Sequence, residues 1–299
     1  MQIIDDFDDE EDDIIFESEP VSTWIKEKEV YRGSTDVTLI SKLYPDVYQL
    51  VVTRTDSFFK KIKSEEDKIF KFTNSETYPL LEEIKRFWDS SEEYTSKNYL
   101  HKRGVLLSGA PGTGKTSAIS LICEEHKKLG GVAFKISGMQ TLLSYIDFVK
   151  NEFRKIEPDT PLITIIEDLN KYNDIESEIS NFLDGKDNIN HHLIIVTSND
   201  TTELSDIYFR PSRLDLHIVY GNPDDTTRLE YFKFKEVNPS ELDNYVNLSK
   251  DMSFAELKEL YICANILGYS LKDAAKKVTK PYEKTNHLDK KKKISGDKF

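Results

Sequence analysis

The amino-acid sequence predicts an α/β fold: a parallel sheet covered on both faces by helices, followed by a small helical lid and preceded by a small β-rich module. Three observations carry that expectation. Strand-like runs occur at Val105–Ser108, Val132–Ile136, Leu162–Ile166, Leu193–Thr197 and Leu216–Tyr220, with helix-length segments between the first four. This is the pattern of parallel strands joined by helical crossovers. The first run leads into the glycine-rich stretch Gly109-Ala110-Pro111-Gly112-Thr113-Gly114-Lys115-Thr116, which has the form of a phosphate-binding loop. Beyond Pro223 the strands stop, and helical spacing takes over to about Lys280.

Composition narrows the class. The 299 residues are 38% hydrophobic, enough for a core in one large or two modest domains. The net charge is -13, but the first nineteen residues hold ten acids and no Lys or Arg. The remainder is close to neutral, which argues against a broad nucleic-acid-binding face. Cys123 and Cys263 each fall in an apolar helical pattern, so buried free thiols in a reducing compartment are expected rather than a disulfide. No apolar run approaches the length of a membrane span, and the acidic start has the wrong sign for a targeting signal. The expectation is a soluble, cytoplasmic protein without membrane partners.

In chain order, residues 1–20 read as an acidic, disordered tail. Ile14, Ile15 and Phe16 within it suit either a solvated tail or a docking peptide. Residues 21–75 read as a small N-terminal module, with strand patterns clearest at Val47–Thr53 and Ile69–Phe72. A helix is expected over Tyr78–Trp88, where Leu80, Leu81, Ile84, Phe87 and Trp88 recur at helical spacing. Residues 76–222 form the large α/β subdomain. Residues 223–282 form the lid, in which Ser253-Phe254-Ala255-Glu256 has capping-box form and Phe254, Leu257, Tyr261 and Ala264 repeat at helical spacing. Residues 283–299, with Lys290 to Lys293, read as a basic tail.

The loop assigns chemistry. Its glycines let successive backbone N–H groups turn toward phosphate oxygens at a helix N-terminus. Gly109, Ala110, Pro111, Gly112, Thr113, Gly114, Lys115, Thr116 and Ser117 are therefore the candidate residues for binding a nucleoside triphosphate. Lys115 would reach the β- and γ-phosphates, and Thr116 would hold Mg²⁺. The strand Leu162–Ile166 ends in Glu167-Asp168, two acids where Mg²⁺ and the attacking water are needed. The next strand ends near Asn199, a neutral amide able to orient water or touch the γ-phosphate. Arg210 and Arg213 stand three apart in a chain with eight arginines against thirty-three lysines. A planar guanidinium suits phosphate better than an ammonium does.

Taken in order, the loop, the two acids, Leu183-Asp184-Gly185, Asn199 and Arg210-Pro211-Ser212-Arg213-Leu214-Asp215 resemble the AAA family of ATPases, in the subgroup with a second region of homology. The resemblance runs from about Glu76 to about Lys280. The approach Tyr94–Leu106, with His101-Lys102-Arg103-Gly104, looks most like the branch of the mitochondrial Rieske-protein translocase and its short phage-type relatives. The resemblance implies a five-stranded parallel sheet, a helical lid, ATP and Mg²⁺ between them, and a homo-oligomeric ring, commonly a hexamer. By position, Lys115, Thr116 and Glu167 would serve phosphate and metal, Asn199 would be the first sensor, and Arg210 and Arg213 the fingers that reach a neighbour's ATP.

Three departures stand out. The family usually ends this strand with Asp then Glu, whereas Glu167 precedes Asp168 here, which leaves the water-polarising acid one methylene shorter. The lid has no arginine near Ser253–Leu260. Ser144-Tyr145-Ile146-Asp147 occupies the place of the substrate-gripping pore loop, with Asp147 for the usual glycine, and Tyr145 also fits the helical stripe of Leu142, Val149 and Phe153. Tyr145 is thus either core or pore. No His-Glu-x-x-His segment is present, and His191-His192 are expected to face a loop rather than a metal. The expected activity is ATP hydrolysis by a ring motor or chaperone that remodels or threads protein. The alternatives are a clamp-loader-like or helicase-loader-like ATPase acting on nucleic acid, and a module that binds ATP as a structural ligand.

Overall fold

The computed structural model describes residues 23–27, 30–34, 40–52, 57–62 and 76–279. The acidic tail, the strand expected at Ile69–Phe72 and the basic tail lie outside the described residues. The chain divides into two units, residues 1–43 and 44–299. In the first, strands β1 (Thr23–Glu27) and β2 (Val30–Ser34) form an antiparallel pair with Thr23 opposite Ser34.

The second unit is built on a seven-stranded sheet. Its strands are β3 (Val47–Val52), β4 (Ser57–Lys61), β5 (Lys102–Ser108), β6 (Val132–Ile136), β7 (Leu162–Ile166), β8 (His192–Ser198) and β9 (Leu216–Val219). They lie in the order β4-β3-β6-β7-β8-β5-β9. The five strands expected from the sequence pair in parallel, but the sheet is larger than five. The Val47–Val52 segment, assigned above to an N-terminal module, pairs in parallel with β6 and antiparallel with β4, extending the sheet by two strands. Tyr48 and Leu50 on β3 are buried, so β3 is held by the same apolar burial that holds its neighbour. The central strands read as unbroken buried runs because helices cover both faces.

Helix α1 (Thr77–Asp89) buries Leu80, Ile84 and Phe87, as its spacing predicts, and is followed by the short α2 (Ser91–Ser96). Helix α3 (Lys115–Lys128) follows β5, and α4 (Met139–Phe148) follows β6. A π-helical stretch, Val149–Phe153, carries α4 without a break into α5 (Arg154–Ile156). A 3-10 turn, Leu169–Ile175, precedes α6 (Glu176–Asp184). After β5 the chain crosses to β6, returns through β7 and β8, and then jumps to β9 on the far side of β5. That reversal opens a crevice at the carboxyl end of β5, where such sheets bind ligands.

The lid comprises α7 (Asp225–Phe234), α8 (Leu242–Leu248), α9 (Phe254–Tyr261) and α10 (Leu271–Thr279) around its own core of Phe232, Tyr245, Leu257, Leu260 and Cys263. The capping box is present: Ser253 Oγ accepts from Glu256 N, and Ser253 N donates to Glu256 Oε2 at 2.7 Å. The stripe expected through Tyr261 and Ala264 is displaced. The buried positions are Leu257, Leu260 and Cys263, while Tyr261 and Ala264 are half-buried and pack at the margin of the same core; a π-helical stretch, Ile262–Ile266, continues the helix. Cys123 and Cys263 are buried free thiols. No helix among the described residues is long and apolar enough to cross a membrane.

Two buried histidines tie the foot of the sheet. His126 Nε2 lies 3.1 Å from Pro161 O and 3.3 Å from Val132 O, so its neutral ring donates to carbonyls. Burial pushes its pKa down from 6.5 to about 4. His192, expected in a loop, lies within β8 and meets Thr164 Oγ1 at 2.7 Å, and its burial likewise disfavours the charged ring. The unfolded chain takes up these protons at higher pH than the native state does. Stability is therefore full above about pH 6.5 and lost as pH falls toward 4, by about 3 kcal/mol from His126. Urea unfolding at a series of pH values should show this slope, and His126→Gln should flatten it.

Candidate nucleotide-binding site

The loop between β5 and α3 has the backbone that its glycines anticipate. Gly112 and Gly114 adopt φ of 81° and 103°, a region that a side chain would strain. Space excludes a side chain at Gly112 as well. A Cβ on Gly112 would sit 2.8 Å from the Ala255 Cβ, and one on Gly114 would sit 3.4 Å from the Phe254 ring. The lid therefore packs on the loop through the first turn of α9, and Ala255 N donates to Gly112 O at 3.3 Å. Thr113 Oγ1 donates to Ala110 O at 2.8 Å and holds the curve of the loop.

A cleft of about 700 Å³ opens between this loop and the lid, within the size range of small-molecule sites. Residues Pro111 to Ser117 line it, together with Glu167, Asp168, Asn199 and the lid aromatics Tyr231, Phe234 and Phe254. The structure thus brings together the loop, the two acids and Asn199. Arg210 and Arg213 lie elsewhere. The cleft is at the carboxyl end of β5, whereas Asp215, just beyond Arg213, pairs with Gly104 near the start of that strand.

The charged groups are linked into a chain. Lys115 is buried, and its Nζ donates to Gly109 O at 2.5 Å, Ala110 O at 3.1 Å and Asn199 Oδ1 at 3.0 Å. Burial lowers its pKa, and the Asp168 charge opposes that effect. Asn199 Nδ2 donates in turn to Asp168 Oδ1 at 3.1 Å, while Asp168 Oδ2 pairs with Lys171 at 2.5 Å. Asp168 itself sits at φ 54°, ψ 66°, its N–H donating to Thr197 Oγ1 at 3.0 Å. The preceding acid, Glu167, pairs with Lys135 Nζ at 3.0 Å.

This donor set suits a magnesium–triphosphate. Lys115 is turned onto the loop's own carbonyls, oxygens it can exchange for phosphate oxygens. Hard oxygen donors from Thr116 and Glu167 are the kind Mg²⁺ accepts. Lys135 and Thr197 escaped the sequence analysis because they belong to the site only through neighbouring strands; Lys171, three residues after Asp168, reaches it through the local 3-10 turn. Lys135 did leave a trace as the single charge in the otherwise apolar β6.

Two other expectations separate here. Tyr145 belongs to the core: it is 0% exposed, its hydroxyl meets Thr164 Oγ1 at 2.6 Å, and its ring packs against Phe134 with centroids 5.5 Å apart. The continuous helical run from Met139 to Ile156 leaves no loop in the place of a substrate-gripping pore segment. Arg213 is engaged within its own chain by Asp184, whereas the exposed Arg210 side chain has no hydrogen bond or ion pair among the described residues.

A glycine loop at a topological switch point, a lysine, paired acids and a polar sensor define a P-loop nucleotide-binding site of the ATPase class. Residues 105–222 match the family model described as ATPase family associated with various cellular activities (AAA), and this part of the chain is an AAA ATPase domain. Among curated proteins, the chain is 26% identical over 202 residues to a 26S proteasome regulatory subunit 4 homolog of Schizosaccharomyces pombe, covering 59% of this chain and 44% of that protein. It is 28% identical over 169 residues to the ATPase family gene 2 protein of the same yeast, covering 49% and 20%. To an ATP-dependent zinc metalloprotease FtsH of a Synechococcus strain it is 28% identical over 172 residues, covering 51% and 26%. The chain spans about half the length, or less, of these relatives.

Two measurements probe the site directly. Lys115→Ala should weaken binding of a fluorescent ATP analogue on the order of 100-fold, since the charge that faces the phosphates is lost. Lys135→Met should lower the Mg²⁺ concentration that half-saturates analogue binding by ~3- to 10-fold, because an ammonium beside Glu167 competes with the divalent ion.

Proposed function

We propose that this chain is one subunit of an ATP-hydrolysing AAA ring, a hexamer in the manner of its relatives, that remodels a protein substrate. The observation that carries the reading is the placement of Arg210. It is exposed and absent from the lining of its own cleft, and it follows directly on the exposed Phe209, 41% accessible, whose ring lies 6.2 Å from that of His217 on the edge strand β9. An arginine outside its own nucleotide cleft, next to an exposed aromatic side chain, suits a cleft on a second copy of the chain.

In this reading ATP bound with Mg²⁺ supplies the scissile γ-phosphate. Lys115 and the loop N–H groups hold the phosphates, Thr116 and Glu167 hold the metal, and Asp168 with Asn199 orients and polarises the attacking water. Arg210 of a neighbouring subunit stabilises charge on the phosphoryl group. A protein substrate is favoured because two of the relatives, a proteasome regulatory subunit and a metalloprotease, serve proteolysis by name. The unbroken helix at 139–156 and the buried Tyr145 favour remodelling over threading past an aromatic loop. His101-Lys102-Arg103-Gly104 and the order Glu167-Asp168 support the Rieske-translocase and phage-type branch.

Turnover should require assembly. Arg210→Ala should lower kcat by ~10³ with ATP binding retained. Lys115→Ala should also be inactive alone, yet mixing the two variants should restore part of the activity, because the intact Arg210 of one serves the intact cleft of the other. Asp168→Asn should abolish turnover. Unfolded protein should stimulate the wild-type ATPase. Stimulation by DNA instead, falling steeply with salt, would assign the chain to nucleic-acid work.

A further inference from the structure

The two arginines of the segment 210–213 are held in opposite ways. Arg213 is 8% exposed, and its guanidinium makes a bidentate pair with Asp184, Nε to Oδ1 at 2.6 Å and Nη2 to Oδ2 at 2.7 Å. Its remaining arm, Nη1, donates to Ile207 O at 2.7 Å. The pairing holds the Asp184 carboxyl below the usual carboxylate range and raises the guanidinium's own pKa. One side chain thus ties the last residue of α6 to the 3-10 turn Asp206–Phe209 that leads into Arg210.

The backbone around Arg213 is pinned as well. Arg213 O lies 1.8 Å from where a Cβ on Gly104 would fall, so the segment runs directly against β5. Asp215 N donates to Gly104 O at 2.9 Å, and Gly104 N donates to Asp215 Oδ2 at 3.1 Å. Lys102 donates to both Leu183 O and Ser212 O, joining the same two elements a second time. Arg210 lies inside this clamp, its carbonyl accepting from Arg213 N at 3.2 Å, with an extended backbone and a side chain in solvent.

We infer that the pair divides its labour: Arg213 is a positioning residue that, through Asp184 and Ile207, fixes the turn presenting Arg210, and Arg210 alone is offered to the neighbouring subunit. Withdrawing Arg213 to reach a phosphate would break its three hydrogen bonds and leave the Asp184 carboxylate without its guanidinium. Such separation of a largely buried pair is strongly unfavourable. The inference rests on the ring reading for Arg210 but on geometry within one chain for Arg213.

A double-mutant cycle in the full chain tests it. Arg213→Gln and Asp184→Asn should each lower kcat by ~10- to 100-fold, with KM for ATP within about twofold of wild type. The double variant, able to re-form an amide–amide hydrogen bond, should be no worse than either single change. In an Arg210→Gln background, Arg213→Gln should cost nothing further. Hydrogen exchange of the backbone amides of residues 206–213 should accelerate alike in Arg213→Gln and Asp184→Asn, while thermal melts establish that both remain folded. If Asp184→Asn leaves turnover and exchange unchanged while Arg213→Gln still lowers kcat, or if the two arginine losses add, Arg213 is a second finger and the inference is overturned. If instead Arg210→Gln leaves turnover unchanged, the ring reading fails. The exchange measurement then still decides whether Asp184 and Arg213 anchor the segment.

Discussion

The turn from β5 into α3 is the constraint on which the other parts of the site depend. A loop that offers its N–H groups to phosphate must curl tightly, and the curl leaves no room for a side chain at Gly109 or Gly112. A Cβ on Gly109 would lie 2.1 Å from Tyr220 O, just past β9, and the space above Gly112 and Gly114 is taken by the first turn of α9. Sheet edge and lid therefore meet on the same few backbone atoms. Because α9 rests on the loop through Ala255 and Phe254, a rearrangement of the loop around a ligand acts directly on the lid, which is how a small site can move a whole subdomain.

Electrostatics give the cleft its second property. Lys115, Asn199, Asp168 and Lys171 form a chain in which each charge is answered by a partner, and Lys135 answers Glu167. A half-buried cluster of this kind is costly when unpaired, so each group is held by a partner that a ligand can replace. Lys115 rests on loop carbonyls, partners that phosphate oxygens can replace. Asn199 touches both Lys115 and Asp168, so a change in the lysine's partners reaches the acid through one side chain.

Much of this was legible in one sequence. The strands Val132–Ile136 and Leu162–Ile166, the capping box at Ser253, the free cysteines and the loop with its two acids follow from local pattern, because each depends on residues close together in the chain. The errors came where distant segments decide. Val47–Val52 was legible as a strand, but its partnership with β6 was not, since any buried strand carries the same apolar alternation. In the lid the deepest positions after Leu257 are Leu260 and Cys263, one residue before the expected Tyr261 and Ala264, because helical spacing allows a step of three as well as four and the packing of the other lid helices chooses between them. Tyr145 matched two patterns, a core stripe and a pore segment, and the packing of Phe134 and Thr164 around it places it in the core.

The sequence by itself determined that a triphosphate loop lies at the end of a parallel strand, that acids and an amide follow on neighbouring strands, and that two arginines stand together beyond them. Those facts are local, set by backbone freedom, charge and spacing. Only the tertiary structure decided that Lys135 pairs with Glu167, that α9 caps the loop, and that Arg213 turns inward to Asp184 while Arg210 stays in solvent. Which of two identical side chains is free depends on what the fold packs beside each, and three-residue spacing carries no record of a partner 29 positions away.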